Sequence, residues 1–260
     1  MYPRGVTEPV RRTTPAKAPS AKPAPRGIVA YFRTRHDPLT SLVLTIPVFL
    51  LYHLGILALD LRNGVDLVST LTFELLHQSL AAYVALTLAI AAGLVATTIA
   101  MRRRGVLRPA SLAPVVIESV VWAVIMLFVV GWATSHLFAA QVGQPRPLGP
   151  FEKLVMSAGA GFHEELVFRV GLFGGAAWLL HRFVPVFKGV IAPLVAALVT
   201  SIVFSAIHYV GPLGDSFSIV SFVSRLLAGL YLCALYRTRG FAVAVYTHAL
   251  YDVMIFFFIQ

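Results

Sequence analysis

Seven apolar runs of membrane-spanning length dominate this sequence, at roughly 39–60, 79–101, 113–139, 151–181, 188–210, 217–236 and 241–259. A run of about 20 apolar residues spans the hydrocarbon core of a bilayer as a helix. Apolar residues make up 58% of the 260 residues and charged residues only 12%, about half the charged share of an ordinary soluble domain. A soluble fold of this size cannot hide that much apolar surface. The expected fold is an all-α membrane protein, a bundle of about seven transmembrane helices (six to eight). Residues 66–78 are amphipathic and predict an interfacial helix before the second span.

The basic residues supply the orientation. The tail at 1–36 holds eight Lys and Arg, and the loops after the second, fourth and sixth runs bring that side to 16, against three in the alternate loops. Positive charge marks the cytoplasmic side, so the N-terminus is expected inside and the C-terminus outside. The net charge of +10 is explained by this placement, and nucleic-acid binding is not expected. The tail is rich in Pro, Ala, Arg and Lys and reads as disordered. The first apolar run is too long for a signal-peptide core. The single cysteine, Cys233, excludes an intrachain disulfide and reads as inert packing. The division read from the sequence is a tail at 1–36, N-terminal transmembrane helices at 37–150 and a C-terminal core at 151–260.

Several ionisable residues lie inside the last four runs: Glu164, Glu165 and Arg169, then His208, then Arg225, then His248 and Asp252. A charge at the centre of a spanning helix costs about 2.5–3.5 kcal/mol even on insertion scales. Such residues face each other or a wet cavity, and they mark a functional site by default. Glu165 and Arg169 are four apart and share a helix face, acid before base. Glu164 is turned about 100° from Glu165 on an α-helix and is left without that partner. Phe204 with His208, and His248 with Asp252, repeat the four-residue spacing. A carboxylate beside imidazoles in a low-dielectric site suits general-base chemistry on water. The imidazoles can hold that water or donate to an oxyanion. The same residues also admit a structural ion-pair network, a headgroup contact at His208 or an interhelical hydrogen bond at His248. Arg225 reads as a snorkelling or paired cation, and Glu118 as either a cavity residue or one near a helix end. His53, His77, His136, His163 and His181 read as structural or interfacial.

At these positions the chain resembles the CPBP family, intramembrane proteases related to the eukaryotic CaaX prenyl endopeptidase and to bacteriocin-processing and immunity proteins. The pattern E-E-x-x-x-R stands at Glu164 to Arg169, F-x-x-x-H at Phe204 to His208, and H-x-x-x-N/D at His248 to Asp252. The resemblance covers about residues 150–260. It implies a peptidase acting on a membrane-associated or lipidated peptide or protein. Glu164 would activate water, His208 would position it, and His248 with Asp252 would stabilise the oxyanion. Glu165 and Arg169 would brace them. The CaaX-type enzymes carry Asn where this chain has Asp252, and an ionised Asp cannot donate a hydrogen bond. Asp252 is therefore expected to be protonated, or to orient His248, or the activity differs.

His163-Glu164 begins like the zinc motif H-E-x-x-H, but Val167 stands where the second His belongs. Zinc on Glu164, His208 and His248 remains an alternative. The expectation is a glutamic enzyme without a cofactor, because the nearby Arg169 works against a divalent cation. The expected partners are the bilayer and a peptide or membrane-protein substrate, and the expected location is a bacterial inner membrane. Two other classes compete: a non-catalytic immunity or scaffold protein of the same fold, and a proton-coupled transporter.

Overall fold

A computed structural model describes residues 31, 38–59, 67–104, 112–137, 148–211 and 214–258. The basic tail expected at 1–36 lies, Tyr31 aside, outside the described residues. The described chain is helical with no strand among its residues, and it is an all-α membrane protein. Its helices are α1 (Pro38–Leu44), α2 (Ile46–Leu59), α3 (Leu67–Leu75), α4 (Leu80–Arg103) and α5 (Leu112–Leu137). A long helical run follows, made of α6 (Pro150–Gly159), a π-helical segment (Ala160–Gly174) and α7 (Gly175–Phe183). The last helices are α8 (Ile191–Ile207), α9 (Ile219–Arg239) and α10 (Phe241–Phe258).

Among the described residues, four helices (α4, α5, α9 and α10) are long and apolar enough to cross a membrane, and α1 with α2 makes a fifth as one bent span. The other two expected spans are helical as well. The run from 150 to 183 carries charged residues that depress its hydropathy, and α8 is a shorter apolar helix of 17 residues. The 45° bend between α1 and α2 has a local cause. Pro47 has no N–H to extend the ladder, and the Thr45 hydroxyl instead donates to the Leu42 carbonyl at 2.7 Å. The segment expected at 66–78 contains α3.

The core joins both halves of the chain. Val43, Phe49 and Tyr52 from α1 and α2 pack with Val115 of α5, Val155 of α6 and Val245 of α10. Tyr246 donates to the Leu44 carbonyl at 2.9 Å, and Ser119 to the Val243 carbonyl at 3.3 Å. Large apolar side chains such as Phe128, Trp132 and Leu194 point outward, where a bilayer receives them.

Two glycines set the geometry around the site. Gly240 has φ +99° and joins α9 to α10 with no other linking residue, because glycine meets no Cβ penalty at positive φ. Gly161 lies in the π-helical segment against α10. A Cβ there would stand 2.7 Å from the Ala249 Cβ and 2.8 Å from the Val245 carbonyl oxygen. Only a hydrogen at this position lets the two helices touch. That contact brings the Glu164–Glu165 pair beside His248.

Candidate active site

Local chemistry starts the helical run that carries the two glutamates. Pro150 opens α6, where its missing N–H costs nothing. The Glu152 carboxylate accepts the Gly149 N–H at 2.6 Å, which satisfies a donor at the helix start. From Ala160 the backbone widens into i→i+5 hydrogen bonding for 15 residues. Such windings are rare, and they favour functional positions. Within this segment Glu164 and Glu165 are both buried, at 4% and 0% exposure, and Arg169 is at 1%.

Glu165 has two partners. Its Oε2 lies 3.1 Å from Arg169 Nε, as the four-residue spacing predicts. Its Oε1 accepts from His248 Nδ1 at 2.7 Å, a contact across 83 residues of sequence that no spacing rule announces. Arg169 lies over the Phe204 ring at 4.4 Å. Its Nη1 and Nη2 have no hydrogen-bond partner among the described residues. Phe204 is therefore more than a motif position. Its ring also meets Phe168 and His208 at 5.1 Å and His248 at 6.1 Å. Its carbonyl accepts from His208 Nδ1 at 2.7 Å.

These contacts assign the ring nitrogens. A carbonyl only accepts, so His208 carries its proton on Nδ1 and, as a neutral ring, leaves a lone pair on Nε2. In His248 the Nδ1–H faces a carboxylate, which likewise fixes that proton. Both Nε2 atoms then face one oxygen. Glu164 Oε2 stands 4.0 Å from His208 Nε2 and 3.9 Å from His248 Nε2. Asp252 Oδ2 is 3.7 Å from His248 Nε2, too far for a direct hydrogen bond. So Glu164, Glu165, Arg169, His208, His248 and Asp252 lie in one cluster. Glu165 touches His248 directly, and Asp252 stands back from it.

The gaps bear on zinc. Ligand atoms held tetrahedrally at about 2.0–2.1 Å from one ion lie roughly 3.3–3.4 Å apart, and the two separations here, 3.9 and 4.0 Å, are wider. Among the described residues no group of three or more His, Cys, Asp and Glu side chains is placed to hold a metal ion. As placed, these atoms stand wider apart than the ligands of one tetrahedral zinc ion. A separation near 4 Å between polar atoms is instead one that a single bridging water spans.

The other polar residues of the spans have separate fates. Arg225 pairs with Asp215 and lies over the Tyr209 ring. Glu118 forms a two-pronged pair with Arg239, with Nε to Oε1 at 2.6 Å and Nη2 to Oε2 at 3.0 Å, and its Oε1 also accepts from Trp122 Nε1 at 2.9 Å. His53 and His163 are buried with their rings 5.1 Å apart, and the side chain of His136 lies outside the described residues. Cys233 is buried, with Ser201 Oγ at 3.9 Å.

Residues 147–254 match the family model described as Rce1-like, type II CAAX prenyl endopeptidase Rce1-like. No curated protein and no solved structure matches the chain.

Proposed function

We propose that this chain, whose residues 147–254 match the Rce1-like family model of type II CAAX prenyl endopeptidases, is a glutamic intramembrane endopeptidase. The catalytic side chains come from the 151–260 core. The observation that supports this reading is one carboxylate oxygen, Glu164 Oε2, facing two imidazole nitrogens at almost equal distances of 3.9 and 4.0 Å.

A water in that gap donates one proton towards Glu164 and the other towards the lone pair of His208 Nε2. Glu164 takes the first proton as the water oxygen bonds to the scissile carbonyl carbon. The carbonyl becomes an oxyanion. His248 stands among three carboxylates, with Glu165 at Nδ1 and Glu164 and Asp252 near Nε2. As an imidazolium it donates from Nε2 to that oxyanion. Protonated Glu164 then passes its proton to the amide nitrogen. The C–N bond breaks, and the products are a carboxyl group and an amine. Glu165 holds the His248 ring in position, with Arg169 balancing its charge. Asp252 acts on His248 through space rather than on the substrate. The proposed substrate is a membrane-associated or lipidated peptide or protein, and the proposed location is a bacterial inner membrane.

The test is peptide cleavage by the purified full chain in lipid nanodiscs, with Glu164→Gln and His208→Ala alongside. General-base loss is expected to lower kcat by about 10²–10⁴ with the unfolding temperature unchanged. Chelator treatment is expected to leave the wild-type rate intact. A Glu164→Gln variant that cleaves at the wild-type rate would discard the base assignment. A folded Glu164→Gln variant that keeps the full biological role would point to a scaffold.

A further inference from the structure

A cavity of about 420 Å³ opens at the other end of the bundle from His208, where α7 ends, α8 begins and α9 ends. Phe173, Trp178 and Pro193 give it apolar walls, and His181, Tyr236 and Arg237 give it polar ones. We infer that this cavity binds the phosphate headgroup of an anionic phospholipid.

Charge is the first argument. The chain has no Asp or Glu from 166 to 214 or from 216 to 251, so no acidic residue stands closer in sequence than eight positions to any residue that lines the cavity. Arg182 and Lys188 flank it in sequence. Among the described residues His181, Lys188 and Arg237 have no side-chain hydrogen bond or ion pair. A ligand that carries negative charge and hydrogen-bond acceptors satisfies this end.

Position is the second. The excess of basic residues assigns this end to the cytoplasmic interface, where anionic lipid headgroups lie and basic pockets between helices receive them. Exposed Trp178 is of the type found at headgroup depth. The third argument is the apolar surface that leads away from the cavity. Val190, Ile191 and Leu194 are all exposed and offer a track for acyl chains. Free phosphate would use the cations and leave that track unused, so a phospholipid accounts for more of the site. The other described cavity, about 380 Å³ along α4 at Arg103 and Arg104, is lined by a single helix and has no such walls.

The experiment is native mass spectrometry of the full chain, delipidated and titrated with phosphatidylglycerol or phosphatidylcholine. Wild type is expected to retain phosphatidylglycerol preferentially. At about fivefold per Lys or Arg near an anionic surface, the His181→Gln/Arg237→Gln double variant is expected to lose roughly fivefold or more of that preference. Arg237→Lys is expected to keep most of it, and Arg104→Gln all of it. Equal retention of the two lipids by wild type overturns the inference. So does undiminished preference in a double variant that unfolds at the wild-type temperature. Displacement of the bound lipid by inorganic phosphate alone would reassign the cavity to soluble phosphate.

Discussion

Two buried ionic clusters stand among the described residues of this bundle, and they are built to opposite plans. Near the start of α5 and at the end of α9, Glu118 and Arg239 meet in a two-pronged pair that Trp122 completes. Both Glu118 oxygens are taken at hydrogen-bond distance. In the second cluster Glu165 Oε1 accepts from His248, its Oε2 meets Arg169 Nε as an ion pair without a hydrogen bond, and Glu164 is less closely held still. Its Oε2 faces His208 and His248 across gaps near 4 Å. Arg169 likewise leaves all three guanidinium nitrogens without a hydrogen-bond partner among the described residues. A fully paired cluster fixes helices and has nothing left with which to react. One that keeps a carboxylate a water's width from two imidazoles stores unused hydrogen-bonding capacity, and chemistry needs that capacity.

The sharpest way to break this comparison is Glu118→Ala. It strands Arg239 in the interior, and breaking a buried pair in this way costs about 3–5 kcal/mol. The expected result is a large loss of stability in chemical or detergent unfolding, with the surviving folded fraction turning over at the wild-type rate. Lost activity at full stability would move Glu118 into the reaction.

Glu165→Gln probes the link between lock and site. It removes a charged hydrogen bond to His248, of a kind that contributes about 1.5–3 kcal/mol. If that bond orients the ring in the transition state, kcat falls roughly tenfold to hundredfold. An unchanged kcat would reduce Glu165 to a counter-ion for Arg169.

Gly161→Leu tests whether the close approach of the π-helical segment to α10 assembles the site. Overpacking costs about 1–3 kcal/mol, and the displaced glutamates are expected to cut activity while the paired Glu118 region stays protected from hydrogen exchange. Activity at the wild-type level in this variant would show that the approach is not needed.

Asp252→Asn should have the smallest effect. With Oδ2 at 3.7 Å from the ring nitrogen, Asp252 is too far for a direct hydrogen bond, and Asn keeps its shape there. The rate is expected to stay within about fivefold of wild type. A hundredfold loss would place Asp252 in contact with the reacting atoms.

Much of this was legible in the chain. Apolar runs marked the helices, because a bilayer accepts little else. The spacings Glu165 to Arg169 and Phe204 to His208 anticipated two contacts, since residues four apart share a face. Glu164 stood out as the carboxylate without a local partner. Three features were not legible. The Glu165–His248 bond spans 83 residues and the Glu118–Arg239 pair 121, and periodicity assigns a residue to a face without naming what lies opposite. The π-helical winding of Ala160–Gly174, within which both glutamates are buried, has no periodic signature in the sequence. Gly161 carried a faint signal, a small residue just before the acidic pair, but its meaning depends on Ala249 lying against it.

By itself, then, the amino-acid sequence determined that the chain is a helical membrane protein and which residues carry an unusual cost of burial. Both follow from local quantities, namely hydropathy, spacing and charge. Only the tertiary structure decided how the charges were shared out. Glu118 went to a closed pair, Arg225 to Asp215 and Glu165 to His248, and Glu164 was left facing two imidazoles. Pairing depends on distances between helices far apart in the chain, and packing sets those distances.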